Sequence, residues 1–412
     1  MEPELIKEVL NNHHIFKKPT PNPLAKFLVC GINGYEDDKW SKHRKIINPA
    51  FYLEKLRHMV PAMHRSCVEM IEKWEKLVKI EGKGEGIEID VRAYFEDLTG
   101  QVISRTAFGS SYEEGRRIFE LQKEQAELTR QVLQSVYVPG WRFLPTEKNK
   151  RMKEINREVQ DVLRGIIQRR EEAMRAGEKT GNDMLGILLE SNSREVEGNG
   201  NREELGISTK EVIDECKLFY FAGQETTSNL LVWTMVMLGI HQNWQTQARE
   251  EVLQVFGKSN PDFDGLNQLK KVTMILHEVL RLYPPVPVIA RAPTKTLRLG
   301  NITLPVGVDL MLQIGLLHHD PKIWGDDVNE FKPERFSEGI SGATKGQLSF
   351  IPFSAGPRVC VGQQFAMIEA KLALVMILQK FSFELSSSYL HAPFSILTLQ
   401  PQYGAALILH KL

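Results

Sequence analysis

One loop near the end of the chain constrains the fold more than any other stretch. It covers residues 352–362, holds Cys360 between Gly356 and Gly362, and leads directly into an apolar pattern with helical spacing. A cysteine at a loop-to-helix junction lies against unpaired backbone N–H groups and the positive end of the helix dipole, and both favour a thiolate. The glycines permit a tight turn and the close approach of a flat ligand. The loop therefore predicts a sulfur presented to a large, flat, anionic ligand.

Two other side chains of the loop suit such a ligand. Phe353 can shield the sulfur from water, and Arg358 offers a fork of donors to a carboxylate. The alternative for Cys360 is a small buried hydrophobe, which is the commonest fate of a lone cysteine. However, the spacing Phe-x-x-Gly-x-Arg-x-Cys-x-Gly is expected by chance in only about one of ten thousand chains of this length. This rarity favours the functional interpretation.

With this spacing the chain resembles the cytochrome P-450 family, in which the cysteine of the loop holds the haem iron. The resemblance implies a mainly α fold with a small β portion, formed as a single domain over residues 1–412. It also implies haem b (heme b, iron-protoporphyrin IX) as the cofactor. Cys360 would be the metal ligand, and Phe353, Arg358 and Gly362 would take part in cofactor binding.

The composition limits the class of protein and its compartment. Lys and Arg total 52 and Asp and Glu total 52, so no net field favours nucleic acid. The four cysteines show no Cys-x-x-Cys spacing, which argues against a zinc site or a disulfide framework and fits a reducing compartment. No stretch approaches the roughly 18 to 20 apolar residues of a membrane span, and the acidic N-terminus does not look like a signal peptide.

Three basic or aromatic residues are candidates for binding the propionates of the cofactor. Trp40 and Arg44 are four residues apart on a predicted helix that begins near Asp37 and ends near Pro49, so they share a face. Without the family context, they would form a surface cation–π pair. Within the family, they resemble the pair that hydrogen-bonds a haem propionate. Arg291 resembles the second propionate-binding arginine, and its alternative is a surface arginine.

The longest predicted helix begins at Ser208 and runs to about Ile240. Residues 208–211 fit a capping box, in which serine and glutamate satisfy each other's backbone N–H groups. The helix is interrupted by Ala222-Gly223, and a glycine inside a buried helix costs about 1 kcal/mol relative to alanine. Such a cost needs a reason. The small residues leave room for a ligand on one face.

An acid and an alcohol follow this opening. Thr226 can return its hydroxyl to the carbonyl of Ala222 and loosen the helix locally, and Glu225 stands beside it. The alternative is a kinked core helix with Glu225 pointing outward. The stretch resembles the family's distal helix, which lies over the oxygen-binding side of the iron. The resemblance implies Ala222 in cofactor binding, Glu225 and Thr226 as the proton relay, and haem b between this helix and the Cys360 loop.

A third motif is assigned to structure rather than chemistry. Glu278 and Arg281 lie on a mostly apolar helix, and Arg335 comes later in Phe-Lys-Pro-Glu-Arg-Phe. A buried acid between two arginines is hydrogen-bonded from several sides, and such a network fixes a fold. The pair resembles the family's Glu-x-x-Arg helix motif.

Apolar periodicity and breakers predict the remaining elements. We expect a polar surface loop over residues 191–206. Strands are expected over 297–299, 302–304, 308–314 and, in short pieces, 381–410. The further helices are predicted over 4–10, 56–74, 98–108, 152–175, 243–256 and 266–282.

The runs 40–55 and 317–336 look closest to the plant subfamily 72A, whose members act on terpenoids. The resemblance implies a monooxygenase that inserts one oxygen atom of O2 into a C–H bond of a lipophilic plant metabolite. Its electrons would come from NADPH through NADPH–cytochrome P-450 reductase, at the cytosolic face of the endoplasmic reticulum membrane. The alternatives are a haem-thiolate isomerase or dehydratase that uses no O2, and a truncated product that does not bind haem.

The front of the sequence departs from the family pattern. Family members of this type begin with a membrane anchor, a hinge, a first helix and the first strands, whereas this sequence begins at what resembles the second helix. We therefore expect an N-terminally incomplete fold in which the strands over 297–314 have lost the partners that the family's front segment supplies and leave an uncovered edge.

Overall fold

The computed structural model describes residues 2–81, 86–109, 112–136, 138–177, 183–198 and 206–412. The fold is mainly α with a small β portion, which confirms the predicted class. The chain forms two compact units. The larger unit comprises residues 1–19, 64–98 and 225–412, and the smaller unit comprises 20–63 and 99–224. A single domain over 1–412 stays a prediction.

Most of the predicted helices are present near their expected positions. Within the described ranges, no helix is both long and apolar enough to cross a lipid bilayer. In chain order they are α1 (Pro3–Asn11), α2 (Asp37–Ile47), α3 (Leu53–Glu81), α4 (Val91–Phe108), α5 (Tyr112–Leu133), α6 (Glu147–Arg175), α7 (Met184–Glu197), α8 (Thr209–Ile240), α9 (Gln242–Phe256), α10 (Phe263–Gln268), α11 (Lys270–Leu282), α12 (Ile314–His318), α13 (Pro321–Trp324), α14 (Gly339–Ala343) and α15 (Gln363–Leu378). Of these, α5, α7 and α12 to α14 were not predicted.

The strands all belong to the larger unit. They form two three-stranded antiparallel sheets, β1-β3-β6 and β2-β10-β7, and two hairpins, β4-β5 and β8-β9. Their bounds are β1 (Phe16–Lys17), β2 (Ile87–Asp90), β3 (Val288–Pro293), β4 (Leu297–Leu299), β5 (Ile302–Leu304), β6 (Leu310–Gln313), β7 (Phe381–Leu385), β8 (Pro393–Ser395), β9 (Leu399–Pro401) and β10 (Ala406–Lys411).

The strands over 297–314 do have partners within the described chain. Strand β4 pairs with β5, and β6 pairs with β3, which is bonded on its other edge to β1. Strand β6 lies at the edge of its sheet, bonded only to β3 among the described residues, so the expected loss of partners from the front segment stays a prediction. The two-residue strand β1 at Phe16 and Lys17 was not predicted, because it is too short to show a period of two in the sequence.

The core beneath the cysteine loop is built around α1. Its apolar face contributes Ile6 and Leu10, which pack against Leu317, Ile351 and neighbouring aliphatic side chains. Each such side chain stabilises the fold by about 1.5 to 3 kcal/mol through removal of apolar surface from water. Because Ile351 immediately precedes the loop over 352–362, this cluster fixes the entry into that loop.

The smaller unit contains α5 and α6, which pack against each other. Val132 and Met152 from the two helices meet Leu24 in one buried cluster. The outer faces carry charged pairs such as Arg151 with Glu124, whose closest atoms are 2.6 Å apart. Exposed pairs of this kind contribute only about 0 to 1 kcal/mol, so the apolar seam holds the two helices together.

Two expectations are corrected. The predicted loop over 191–206 is helical up to Glu197 in α7, while residues 199–205 lie outside the described residues. The helix starts at Met184 because Asp183 caps it by accepting the N–H of Gly186 at 2.8 Å, and the buried run over 184–189 packs it down. Polar residues then continue the helix on its outer end, where composition alone suggested a loop.

The helix predicted over 266–282 is broken at Leu269 into α10 and α11. The carboxylate of Glu251, on α9, accepts the N–H groups of Lys270 and Lys271 at 2.8 Å and of Val272 at 2.9 Å. These are the first donors of α11, which otherwise lack partners. A cap that comes from another helix leaves no local sequence signal.

Candidate functional site

The loop before α15 presents its cysteine on an exposed position. Cys360 is exposed, and its backbone N–H donates to the carbonyl of Phe353 at 2.9 Å, which closes the loop on itself. Ser354 and Gly356 adopt positive φ angles of 63° and 70°. A Cβ at Gly356 would lie 2.7 Å from the carbonyl oxygen of Leu10, so only glycine lets the loop pack on the end of α1.

The other three cysteines behave differently. Burial raises the pKa of Cys30 to about 12, and it raises the pKa of Cys67 and Cys216 still further. Such thiols are poor nucleophiles and poor metal ligands at neutral pH. None of the four, all within the described ranges, forms a disulfide. The interpretation of Cys360 as a small buried hydrophobe is therefore wrong.

A buried histidine supports the entry of the loop. The Nε2 atom of His318 accepts the N–H of Ile351 at 3.0 Å. Burial, aided by the charge of Arg281, lowers the pKa of His318 to about 3, so the ring is neutral and can accept. The carbonyl of His318 in turn accepts from Arg281 at 3.0 Å. The cysteine loop is thus tied to the helix α11.

The Glu278 network confirms the structural role that the sequence predicts. Arg281 donates through Nε and Nη2 to the two carboxylate oxygens of Glu278 at 2.7 and 2.8 Å, and both side chains are fully buried. The same carboxylate accepts the N–H of Lys332 at 2.9 Å and lies 3.4 Å from Arg335. Bidentate geometry with additional donors is what a buried ion pair needs to offset its desolvation.

The acid of the long helix α8 points inward. Glu225 is buried, and one of its carboxylate oxygens accepts a hydrogen bond from the hydroxyl of Thr398 at 2.6 Å. Asn229, one turn along the helix, donates to the same hydroxyl at 3.0 Å. The alternative with Glu225 pointing outward is therefore wrong. Its neighbour Thr226 is half-buried.

Arg291 lies on β3, opposite Leu310 of β6, and is 5% exposed. Its guanidinium donates to the carbonyl of Ala290 at 2.8 Å. The alternative of a surface arginine is therefore wrong, while a role in binding a propionate stays a prediction. A buried guanidinium requires anionic or carbonyl acceptors, and this requirement suits that role.

The smaller unit contains the remaining candidates. Trp40 is buried and Arg44 is half-buried on α2, whereas Ala222 is exposed on α8. The burial of Trp40 disagrees with a surface cation–π pair.

The capping box at the start of α8 is confirmed, because Glu211 accepts the N–H of Ser208 at 2.9 Å.

Between Trp40 and Arg44 stands a residue that the sequence pattern did not single out. His43 is fully buried, and its Nδ1 lies 2.6 Å from a carboxylate oxygen of Glu215 on α8. The other oxygen of Glu215 accepts the N–H of Ile32 at 2.9 Å. Burial raises the pKa of Glu215, and the bonds from His43 and Ile32 oppose this. This pair anchors the helix that carries the predicted propionate ligands.

The residues present fit a haem held through a thiolate. Cys360 is exposed at the start of a helix, glycines at 356 and 362 keep the loop free of bulky side chains, and the three other thiols are buried or half-buried. Arg291 and Arg358 supply cationic groups within the same unit. One sulfur with cationic groups is the donor set that an anionic macrocycle needs.

The larger unit therefore contains Phe353, Arg358, Cys360, Gly362, Arg291, Glu225 and Thr226, and the smaller unit contains Trp40, Arg44 and Ala222. Sequence reasoning missed four residues that hold these groups: His43, Glu215, Asn229 and Thr398. Asn229 could have been found, because it lies four residues after Glu225 on one helical face. Thr398 is 173 residues from Glu225 and carries no local signal.

A mainly helical fold with an exposed cysteine just before an apolar helix fits the class of haem-thiolate enzymes. The cytochrome P450 family profile matches residues 1–404. The chain belongs to the cytochrome P450 family and is a monooxygenase that uses haem b. The predicted family and cofactor are thereby confirmed.

Curated relatives place the chain near the plant 72A group. Cytochrome P450 CYP72A219 of Panax ginseng is 60% identical over all of this chain and 79% of that protein. Cytochrome P450 72A15 of Arabidopsis thaliana is 56% identical, with the same coverage. The 11-oxo-beta-amyrin 30-oxidase of Glycyrrhiza uralensis is 56% identical over all of this chain and 78% of that protein.

A solved structure supports the fold independently. The retinoic acid bound cyanobacterial CYP120A1 superposes with a TM-score of 0.85, covering all of this chain and 88% of that chain at 23% identity. At this level of identity, the likeness establishes the fold.

Proposed function

We propose that this chain inserts one oxygen atom of O2 into a C–H bond of a lipophilic plant terpenoid. Electrons come from NADPH through NADPH–cytochrome P450 reductase at the endoplasmic reticulum membrane. The observation that carries the proposal is the exposed Cys360 on its closed loop, in a chain of the cytochrome P450 family. Oxidation of 11-oxo-beta-amyrin, which the name of the Glycyrrhiza relative describes, supports a terpenoid as the substrate class.

Cys360 holds the cofactor in this proposal. A haem bound through a cysteine thiolate supplies O2 activation, since the thiolate donates electron density that favours O–O cleavage. The chain prepares the sulfur for this task by geometry. The Cys360 N–H donates to the backbone carbonyl of Phe353 at 2.9 Å, and we propose that the ring of Phe353 shields the sulfur from water. Gly362 lets the flat ligand approach the start of α15.

The charged residues orient the cofactor. Arg291 and Arg358, in the larger unit, and Trp40 and Arg44, in the smaller unit, each offer N–H donors to a propionate. Guanidinium forks bind carboxylates in a fixed plane, which sets orientation as well as affinity. Ala222 keeps its stretch of α8 free of bulky side chains, so that cofactor and substrate have room.

Glu225 and Thr226 deliver protons in this proposal. Thr226 holds a proton at its hydroxyl on the half-buried face of α8, and Glu225 replaces that proton from its carboxyl group. A positioned acid and alcohol of this kind act as general acid catalysts. O–O cleavage consumes protons, so the relay determines whether electrons end in product or in hydrogen peroxide.

The test uses the chain together with the reductase, isotopically labelled O2 and a panel of terpenoids and fatty acids. We expect a hydroxylated terpenoid that contains one labelled oxygen atom and forms only with NADPH. A product formed without NADPH and without label would show the isomerase or dehydratase alternative. A protein that captures no haem would show the truncated, inactive alternative.

The relay has a test of its own. Thr226→Ala should leave haem binding intact and lower the ratio of product formed to NADPH consumed by about tenfold, because general acid catalysis is lost. Hydrogen peroxide should rise in proportion. Thr226→Ser, which keeps the hydroxyl, is the matched control, and an unchanged ratio in the alanine variant would rule out the relay.

A further inference from the structure

The acid on α8 is held from the far end of the chain. Glu225, Asn229 and Thr398 are 6%, 3% and 4% exposed, so their hydrogen bonds are shielded from water. All three belong to the larger unit. The hydroxyl oxygen of Thr398 and a carboxylate oxygen of Glu225 are 2.6 Å apart, at the short end of the range for O–H···O hydrogen bonds.

The direction of these bonds can be assigned from the chemistry of the groups. The Asn229 amide nitrogen lies 2.8 Å from the backbone carbonyl of Glu225, which can only accept, so this atom is the NH2 end of the amide. The same nitrogen donates to Thr398 Oγ1 at 3.0 Å. The hydroxyl proton of Thr398 is then directed at Glu225 Oε1.

The segment that carries Thr398 is fixed on both sides. The backbone N–H of Leu399 donates to the carbonyl of Pro285 at 2.9 Å, and the carbonyl of Leu399 accepts from the indole of Trp233 at 3.0 Å. Trp233 is fully buried on α8. The Thr398 hydroxyl is therefore held in position toward Glu225, and its segment needs no further ordering.

We infer that Thr398 and Asn229 are positioning residues that hold Glu225 by its Oε1 atom and assign proton exchange to its Oε2 atom. The inference rests on the proposed proton relay. Asn229 donates to the Thr398 hydroxyl, which in turn donates to Oε1 of Glu225. A proton on Oε1 would compete with the Thr398 hydroxyl for this oxygen and disrupt both bonds. Without the hydroxyl, Oε1 loses the donor of Thr398, and proton exchange is no longer confined to Oε2.

The first measurement is independent of turnover. Infrared difference spectra of the holoenzyme compare the wild type with Thr398→Val, which keeps the shape and removes the hydroxyl. We expect a shift of a carboxylate stretching band that is absent when the same substitution is made in a Glu225→Gln background. Thr398→Ser should keep the wild-type band. No shift in Thr398→Val would overturn the inference.

The second measurement tests whether the hydrogen bond from Thr398 to Glu225 affects turnover. Thr398→Val should lower the ratio of product formed to NADPH consumed by about fivefold, with haem content and the spectrum of the ferrous CO complex unchanged, since a misaimed acid transfers protons less often. Thr398→Ser should restore the ratio. Thr234→Val, a buried threonine on α8 whose hydroxyl bonds only to the backbone carbonyl of Leu230 at 2.7 Å in the described structure, is the matched control and should not change it.

The two failures can be told apart. A band shift with an unchanged product ratio in an active enzyme would reduce Thr398 to a structural residue and overturn the positioning role. An enzyme that shows the band shift but forms no labelled product at all would instead refute the proposed function, and the positioning role with it. In the Glu225→Gln background, Thr398→Val should give no further loss, whereas an additive loss would contradict the inference.

Discussion

Two buried glutamates of the larger unit, Glu278 on α11 and Glu369 on α15, have opposite surroundings. Glu278 is fully buried and engages Arg281, Arg335 and the N–H of Lys332. Glu369 is 1% exposed, and neither of its carboxylate oxygens has a hydrogen-bond partner among the described residues. The same side chain at the same depth is therefore embedded in charge at one place and in apolar packing at the other.

The difference in surroundings matters for how each acid is accommodated. Burial alone raises the pKa of Glu369 well above its usual value, which favours the neutral carboxylic acid in the folded chain. Glu278 instead stands against two guanidinium groups, those of Arg281 and Arg335. Partners, rather than depth, decide whether a buried acid is a charged structural element or a polar group in an apolar core.

The two regions also respond to pH with opposite signs. Near Glu278, His318 has a pKa lowered to about 3 by burial, from 6.5, so the unfolded chain binds more protons between these values. The free energy of unfolding then falls as the pH drops from 6.5 toward 3. Glu369 keeps its proton in the folded chain while the unfolded chain releases it above about 4.5, so its region loses stability as the pH rises.

Removing the partnered acid should have the largest effect. Glu278→Ala leaves Arg281 buried without its carboxylate, and breaking a buried pair in this way costs about 3 to 5 kcal/mol. Denaturant unfolding at neutral pH measures the change, and Glu334→Ala, at an exposed neighbouring acid, is the control. A loss below about 1 kcal/mol would show that the network contributes little to stability.

His318→Gln should have a smaller effect that depends on pH. The glutamine carbonyl can accept the N–H of Ile351 without titrating, so the loss of stability below about pH 6.5 should become shallower by up to about 1.4 kcal/mol per pH unit. Unfolding curves recorded from about pH 4 to about pH 7 provide the measurement. The exposed His14→Gln should leave the slope as in the wild type, and an unchanged slope in His318→Gln would exclude a neutral buried histidine.

Glu369→Gln should have the smallest effect. Near pH 4.5, the folded wild type already carries a neutral group, so the amide changes the free energy of unfolding by about 1 kcal/mol or less. As the pH rises, the variant should gain relative to the wild type by up to about 1.4 kcal/mol per pH unit. A difference that is constant with pH would mean that Glu369 is ionised in the folded chain.

The sequence predicted those features that depend on residues close together in the chain. The cysteine loop, the capping box at Ser208 and the Glu278–Arg281 spacing each lie within a few residues, where rotation per residue and loop chemistry fix the geometry. The fold class was implied by the resemblance to the cytochrome P450 family. The capping box and the Glu278–Arg281 pair are confirmed, whereas the role of the cysteine loop in holding the cofactor stays a prediction.

What the sequence could not predict depends on contacts between distant segments. The cap from Glu251 that splits α10 from α11, the strand β1 and the bond from Thr398 to Glu225 all join positions that no periodicity connects. The sequence also could not predict that the carboxylate of Glu369 lacks hydrogen-bond partners among the described residues. An acid on an apolar helix has the same sequence pattern whether or not a cation packs against it. Tertiary packing decides these cases.

The most direct test of the whole account is the absorption spectrum of the reduced protein with CO. The wild type should show the Soret shift typical of a thiolate ligand, because Cys360 is the exposed cysteine at the start of α15. Cys360→Ser should lose that band, whereas Cys216→Ser, at a buried thiol, should keep it wherever the protein folds. Survival of the thiolate band in Cys360→Ser would contradict the account.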